Sequence, residues 1–97
     1  MFSIDISDDA DRHLDFFPAH DQMIILAGIE EQLSHQPNVR TRNRKPMRQN
    51  LLGRWELRIQ RFRVIYNIEV ETETVVVMAI AAKEGNKFVI EGKEYPL

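Results

Sequence analysis

The tightest constraint on how this chain folds is a stretch of strand-period sequence between Trp55 and Ala82, interrupted only by short polar turns. Trp55, Leu57 and Ile59 alternate with Glu56 and Arg58, and Phe62, Val64, Tyr66, Ile68 and Val70 alternate with Arg63, Ile65 and Asn67. A period of two puts one set of side chains on a core face and the other on the opposite face of a sheet. Thr74–Ala82 is a near-continuous apolar run, as expected of a central strand covered on both sides, and Glu71-Thr72-Glu73 supplies the turn before it. If Gln60-Arg61 is a two-residue turn, Ile59 faces Phe62, Leu57 faces Val64 and Trp55 faces Tyr66, an apolar ladder that favours this register. The other face then pairs Glu56 with Ile65 and Arg58 with Arg63. Gln-Arg suits the positive φ values of a type I′ turn poorly, so a four-residue loop is the alternative.

The rest of the chain supplies the layer that covers such a sheet. Phe2, Ile4 and Ile6 alternate as in a half-buried strand. Ser7 offers an N-cap, followed by Asp8, Asp9 and Asp11 at the positive end of a helix whose apolar stripe is Ala10, Leu14 and Phe17. After Pro18 a second helix is expected from about Ala19 or Asp21 to His35, burying Ile25, Ile29 and Leu33, with Pro37 closing it. Asn38–Asn50 is polar, basic and interrupted by Pro46, and reads as a loop. Phe88–Ile90 and Tyr95–Leu97 flank Glu91-Gly92-Lys93-Glu94 as a short terminal hairpin. The predicted order is β-α-α-β-β-β with a small C-terminal hairpin: one α+β domain over residues 1–97, a two-helix hairpin on a mainly antiparallel sheet.

Composition excludes several classes of function. With 43% hydrophobic and 29% charged residues the 97-residue chain is an ordinary globular one, and without cysteine it has no disulfide, zinc ribbon or thiol nucleophile. The longest apolar run, Val75–Ala82, is far short of the roughly 18–20 residues that span a bilayer, and no signal peptide is visible, so a reducing cytoplasm is expected, with no membrane contact. No metal or phosphate-loop motif appears and no cofactor is expected. His13, His20 and His35 lack ligand spacing and are read as surface or capping residues.

The net charge of −2 conceals an asymmetry. Arg40–Arg63 contains nine basic residues against Glu56 alone, a local +8, while the remainder carries four bases and fourteen acids. Eight of the nine are arginine, whose planar fork grips phosphate or carboxylate with paired hydrogen bonds. The basic segment is therefore a candidate surface for RNA, DNA or an acidic protein segment, the other reading being a solvated basic face. Arg58 opposite Arg63 costs stability unless an anion or carboxylate lies between them or the two guanidiniums splay apart.

The segment Leu52-Gly53-Arg54-Trp55-Glu56-Leu57-Arg58-Ile59, followed by Phe62-Arg63-Val64-Ile65-Tyr66, resembles the RelE/ParE superfamily of type II toxin–antitoxin toxins. The two-helix segment Ile29-Glu30-Glu31-Gln32-Leu33 and the strand Val75–Ile80 leading to Ala82, Lys83 and Glu84 also match, so the resemblance covers nearly the whole chain. It implies the fold derived above. It further implies either RelE-like cleavage of mRNA on the ribosome, which inhibits translation, or ParE-like inhibition of gyrase. A member without catalytic activity would act as an antitoxin-binding module. In either case a cognate antitoxin is the partner. Carried onto this sequence, the resemblance makes Arg63 the residue that stabilises charge on the scissile phosphate, with Arg58 and Lys83 as further basic site residues. Glu56 stands where the family often carries a second lysine, and Phe88 where it carries an aromatic that stacks on a base. Arg44, Lys45, Arg48 and Arg61 are candidate RNA- or phosphate-binding residues. Arginine stays protonated and cannot act as a base, which leaves Glu56, Lys83, Lys45 and Glu84 for proton transfer. Trp55 shares the phase of Leu57 and is read as a core anchor.

Overall fold

A computed structural model describes residues 1–96. Its elements run β1 (Ser3–Ile6), α1 (Asp8–Leu14), α2 (Ala19–Leu33), β2 (Arg44–Pro46), β3 (Trp55–Ile59), β4 (Phe62–Glu69), β5 (Thr74–Glu84), β6 (Lys87–Ile90) and β7 (Lys93–Pro96). The strands form a seven-stranded sheet in the order β2-β3-β4-β5-β6-β7, and β1 joins β5 in parallel. All other pairs are antiparallel. The predicted α+β class, helices on a mainly antiparallel sheet, is the observed one.

The β3–β4 hairpin has the two-residue turn, pairing Ile59 with Phe62, Arg58 with Arg63, Leu57 with Val64 and Trp55 with Tyr66. Gln60 meets the demand of this turn by adopting φ +54°, a left-handed conformation unusual for a residue with a side chain. The helices begin as their caps dictate: the Ser7 hydroxyl accepts from the Ala10 amide at 3.1 Å, and Pro18 precedes α2. They pack on the sheet face formed by Leu57, Phe62, Val64, Tyr66, Val75 and Val77, closing a core with Ala10, Leu14, Ile25, Ile29 and Leu33. Gly28 lets α2 approach β3 closely, since a Cβ there would lie 2.5 Å from Ile59 Cδ1.

Three expectations need correction. Asn38–Asn50 is not all loop: β2 lies within it as a short edge strand, pairing Arg44, Lys45 and Pro46 with Leu57, Glu56 and Trp55. Three residues are too few to show a period, and Pro46 is tolerated because an edge strand can dispense with a donor. The terminal hairpin turns on Glu91-Gly92 alone, both at positive φ, rather than on four residues; Leu97 lies outside the described residues. His13 is buried, not superficial: its Nδ1 accepts from the Ile80 amide at 3.3 Å and its Nε2 lies 3.3 Å from Glu91. No helix among the described residues is long and apolar enough to cross a membrane.

Candidate functional site

The two faces of the sheet differ, and the sequence pattern says why. Residues of β3 and β4 that alternate with the core positions point away from the helices, and these include the charged ones. Across that open face one row runs Lys45, Glu56, Ile65, Ala79 and the next runs Arg58, Arg63, Ala81. A β-bulge in β5, opposite Ile65 and Tyr66, leaves Ala79, Ala81 and Lys83 on this face. Small side chains at Ala79 and Ala81 keep the middle of the face low.

Glu56 lies at the centre of the charged group. It is only 6% exposed, and its Oε2 is 3.9 Å from Lys45 Nζ and 3.8 Å from Arg58 Nε. Arg63 is also buried, and its Nη1 donates to the carbonyls of Gln60 at 2.7 Å and Phe62 at 2.8 Å, bracing the strained turn. Its Nε has no hydrogen-bond partner. Burial lowers the Arg63 pKa from the ordinary arginine value; Glu56 opposes that shift and Arg58 adds to it. The like-charge pair is thus accommodated by divergence: Arg58 turns to Glu56 and Arg63 to the hairpin carbonyls.

The remaining predicted site residues are scattered around this group. Lys83 is half-buried on the same face, opposite Phe88 across β5 and β6, and its amide donates to the Arg61 carbonyl at 2.8 Å. Arg61 sits apart, its guanidinium 4.7 Å from the Phe62 ring centroid and 3.4 Å from Asp21. Arg44 is drawn to the helical side, where it donates to the Gln32 carbonyl at 2.7 Å and the Val39 carbonyl at 3.1 Å. Arg48 is exposed on the loop before β3. Phe88 offers no stacking surface, being 1% exposed in a small cluster with Ile65, Ala79, Ala81 and Ile90, beneath Met47 and Leu52. The exposed aromatic is its cross-strand neighbour Tyr95, on β7. The register would have revealed this, because β6 and β7 continue the sheet instead of forming a separate flap. Trp55 stacks on Tyr66 at 6.0 Å between centroids, as a core anchor should. The Tyr66 hydroxyl donates to the Pro37 carbonyl at 2.7 Å, and burial raises its pKa well above the ordinary tyrosine value, Arg44 pulling the other way.

Among the described residues no cluster of three or more His, Asp or Glu is placed to hold a metal ion. The arrangement is an arginine- and lysine-framed carboxylate on an open sheet face, suited to binding a phosphodiester and to moving one proton. Solved structures with this architecture are known. The chain is similar to one in the RelBE2 toxin–antitoxin complex of Mycobacterium tuberculosis, with TM-score 0.74 and 26% identity over 84% of this chain and 91% of that one. It also resembles one in the RelE–RelB complex of Pyrococcus horikoshii, with TM-score 0.63, 11% identity, and 87% and 97% of the two chains covered. A third likeness is to the intact Escherichia coli RelBE complex, with TM-score 0.57, 15% identity and coverage of 87% and 99%. The two lower identities bear on fold alone, whereas the M. tuberculosis likeness extends to sequence. No protein-family model and no curated protein matches the chain. The chain shares the fold of these RelE–RelB complex structures, as the resemblance of its hairpin implied.

Proposed function

We propose that this chain is the toxin of a type II toxin–antitoxin system, a RelE-like ribonuclease that cleaves mRNA on the ribosome and is silenced by a cognate antitoxin. The observation that carries this reading is the grouping of Lys45, Arg58 and Arg63 about Glu56 on the open face of a RelE-like sheet. Cleavage through the 2′-hydroxyl forms a bond from O2′ to phosphorus and breaks the bond from phosphorus to O5′. Glu56 accepts the O2′ proton, Arg58 and Arg63 stabilise charge on the phosphoryl oxygens, and Lys83 or Lys45 returns a proton to the departing O5′. Tyr95 takes the base-stacking role that the buried Phe88 cannot fill. Action on translating ribosomes places the protein in the cytoplasm.

The test is primer extension on ribosome-bound mRNA with purified protein. The wild type is expected to produce discrete cleavage ends, Arg63→Ala to lose activity by about 10²–10³-fold, and Glu56→Gln by about 10²–10⁴-fold. Growth arrest with intact transcripts and altered DNA supercoiling would overturn the assignment.

A further inference from the structure

Strand β5 pairs with β4 along one side from Thr74 to Ala82, with a single bulge, whereas its other side is shared between two strands that do not meet. There β1 pairs with Thr74–Val77 and β6 with Ala82–Glu84, so residues 78–81 face a gap in the ladder. Backbone groups left in such a gap must find partners elsewhere. Helix α1 supplies them. The Ser7 hydroxyl, at its N-cap, donates to the Met78 carbonyl at 3.5 Å, and His13 Nδ1 accepts from the Ile80 amide at 3.3 Å. Because Nδ1 accepts, the neutral ring carries its proton on Nε2. That atom faces Glu91 Oε1 at 3.3 Å. The same carboxylate oxygen accepts from Arg12 Nε at 2.6 Å, and Asp9 holds the Arg12 guanidinium from the other side at 3.1 Å.

Glu91 is not the residue its backbone favours. It opens the two-residue β6–β7 turn at φ +53°, followed by Gly92 at φ +75°, where asparagine, aspartate or glycine is preferred. Its side chain is nonetheless largely withdrawn from solvent, 23% exposed, with Arg12 and His13 converging on one oxygen. An ordinary exposed ion pair contributes little. This one joins the end of the β6–β7 hairpin to α1 and, through His13, to the backbone of β5. The hairpin needs such a tie. Its ladder to β5 has three register pairs, it buries Phe88 and Ile90 from β6, and every described residue of β7 is exposed. Tyr95 lies on that outer strand, in a row that runs Lys83, Phe88, Tyr95. It shares a cleft of about 240 Å³ with Arg12, His13 and Glu91.

We infer that Glu91, held by Arg12 and His13, is a positioning residue for RNA cleavage: it fixes the twist of the β6–β7 hairpin and so the place of Tyr95 relative to Lys83 and Arg63. The inference rests on the ribonuclease reading above and on Tyr95 as its stacking residue. A base stacked on Tyr95 keeps its distance from the phosphate at Arg63 only if the hairpin does not swing about its short ladder. A misplacement of about 1 Å costs on the order of 10²-fold in rate.

Glu91→Asn is the discriminating variant, because asparagine suits the left-handed turn better than glutamate while its shorter side chain withdraws from Arg12 and His13. Cleavage of ribosome-bound mRNA is followed by primer extension in single-turnover reactions, with thermal melts and amide hydrogen exchange on the same proteins. Glu91→Asn is expected to lower the rate by about 10–10²-fold. It should speed exchange in the β6–β7 hairpin and leave β3 and β4 unchanged. Glu91→Gln, which keeps an oxygen toward both donors, is expected to retain most of the rate. In a Tyr95→Ala background Glu91→Asn should have no further effect, since the two residues act through one group. Wild-type rate or wild-type exchange in Glu91→Asn, or an equal loss of rate with and without Tyr95, overturns the positioning role and leaves the ribonuclease reading standing. Absence of cleavage by the wild type overturns both.

Discussion

The helix-covered face and the open face of the sheet come from the same strands and alternate residue by residue, yet they are organised on opposite principles. On the first, Leu57, Val64 and Tyr66 are sealed by Ile25, Ile29 and Leu33, and nearly every contact is apolar. On the second, Glu56 and Arg63 are buried without a helical layer above them, held by neighbouring charges and by hairpin carbonyls. A sheet whose second face has no helical layer and only the small cover of Met47 and Leu52 lets a small domain keep a complete core and still hold charges partly out of water, where they act more strongly than on an ordinary surface.

The contrast is open to attack by substitution. The largest effect is expected from Leu57→Ala, a loss of about 2–5 kcal/mol in urea unfolding; its neighbour Arg58→Ala, on the open face, should change stability by no more than about 0.5 kcal/mol while abolishing cleavage. Equal losses in the two variants would erase the distinction between the faces. Gly28→Ala, which drives a methyl group into Ile59, should cost about 1–3 kcal/mol by the same measurement. Tyr66→Phe leaves the buried Pro37 carbonyl without its donor and should cost roughly 1–2 kcal/mol.

The smallest effect is a pH dependence at His13. Burial lowers its pKa below 6.5, against the pull of Glu91, while Arg12 lowers it further and Asp9 opposes. The neutral ring, which accepts from the Ile80 amide, is therefore the form the fold prefers. Its contribution to stability is full above the unfolded value of about 6.5 and is lost as pH falls through the lowered folded value. Unfolding midpoints measured between pH 7.5 and 5 should fall more steeply for the wild type than for His13→Gln. Identical slopes would show that the ring does not titrate with folding.

What was legible in the sequence follows the length and regularity of each pattern. Five-residue alternation on both sides of Gln60-Arg61 specified the hairpin register down to the facing arginines, because a one-residue slip would have moved Leu57 and Val64 out of the core. The helices were equally visible from Ser7, Pro18 and the Ile25–Leu33 spacing. The parallel pairing of β1 with β5 was not, since no local pattern records a partner so distant. His13 was legible in principle: it lies three residues after the buried Ala10 and beside Leu14, on the face that meets β5. In the candidate site, strand phase placed Arg58, Arg63 and Glu56 on one face, whereas the roles expected of them came from the family resemblance. The inward turn of Arg44 and the burial of Phe88 depended on tertiary neighbours, Gln32 for one and Met47 and Leu52 for the other.

The attachment of β1 to β5 also sets an order of events during synthesis. Ser7, at the end of β1, meets Met78 across 71 positions, so the first strand has no place in the sheet until β5 has left the ribosome. The same strand flanks Arg63 through Ala81, and so the charged face is assembled only when about four-fifths of the chain exists. The open face and its buried ions are therefore among the last parts of the sheet to be completed on a growing chain.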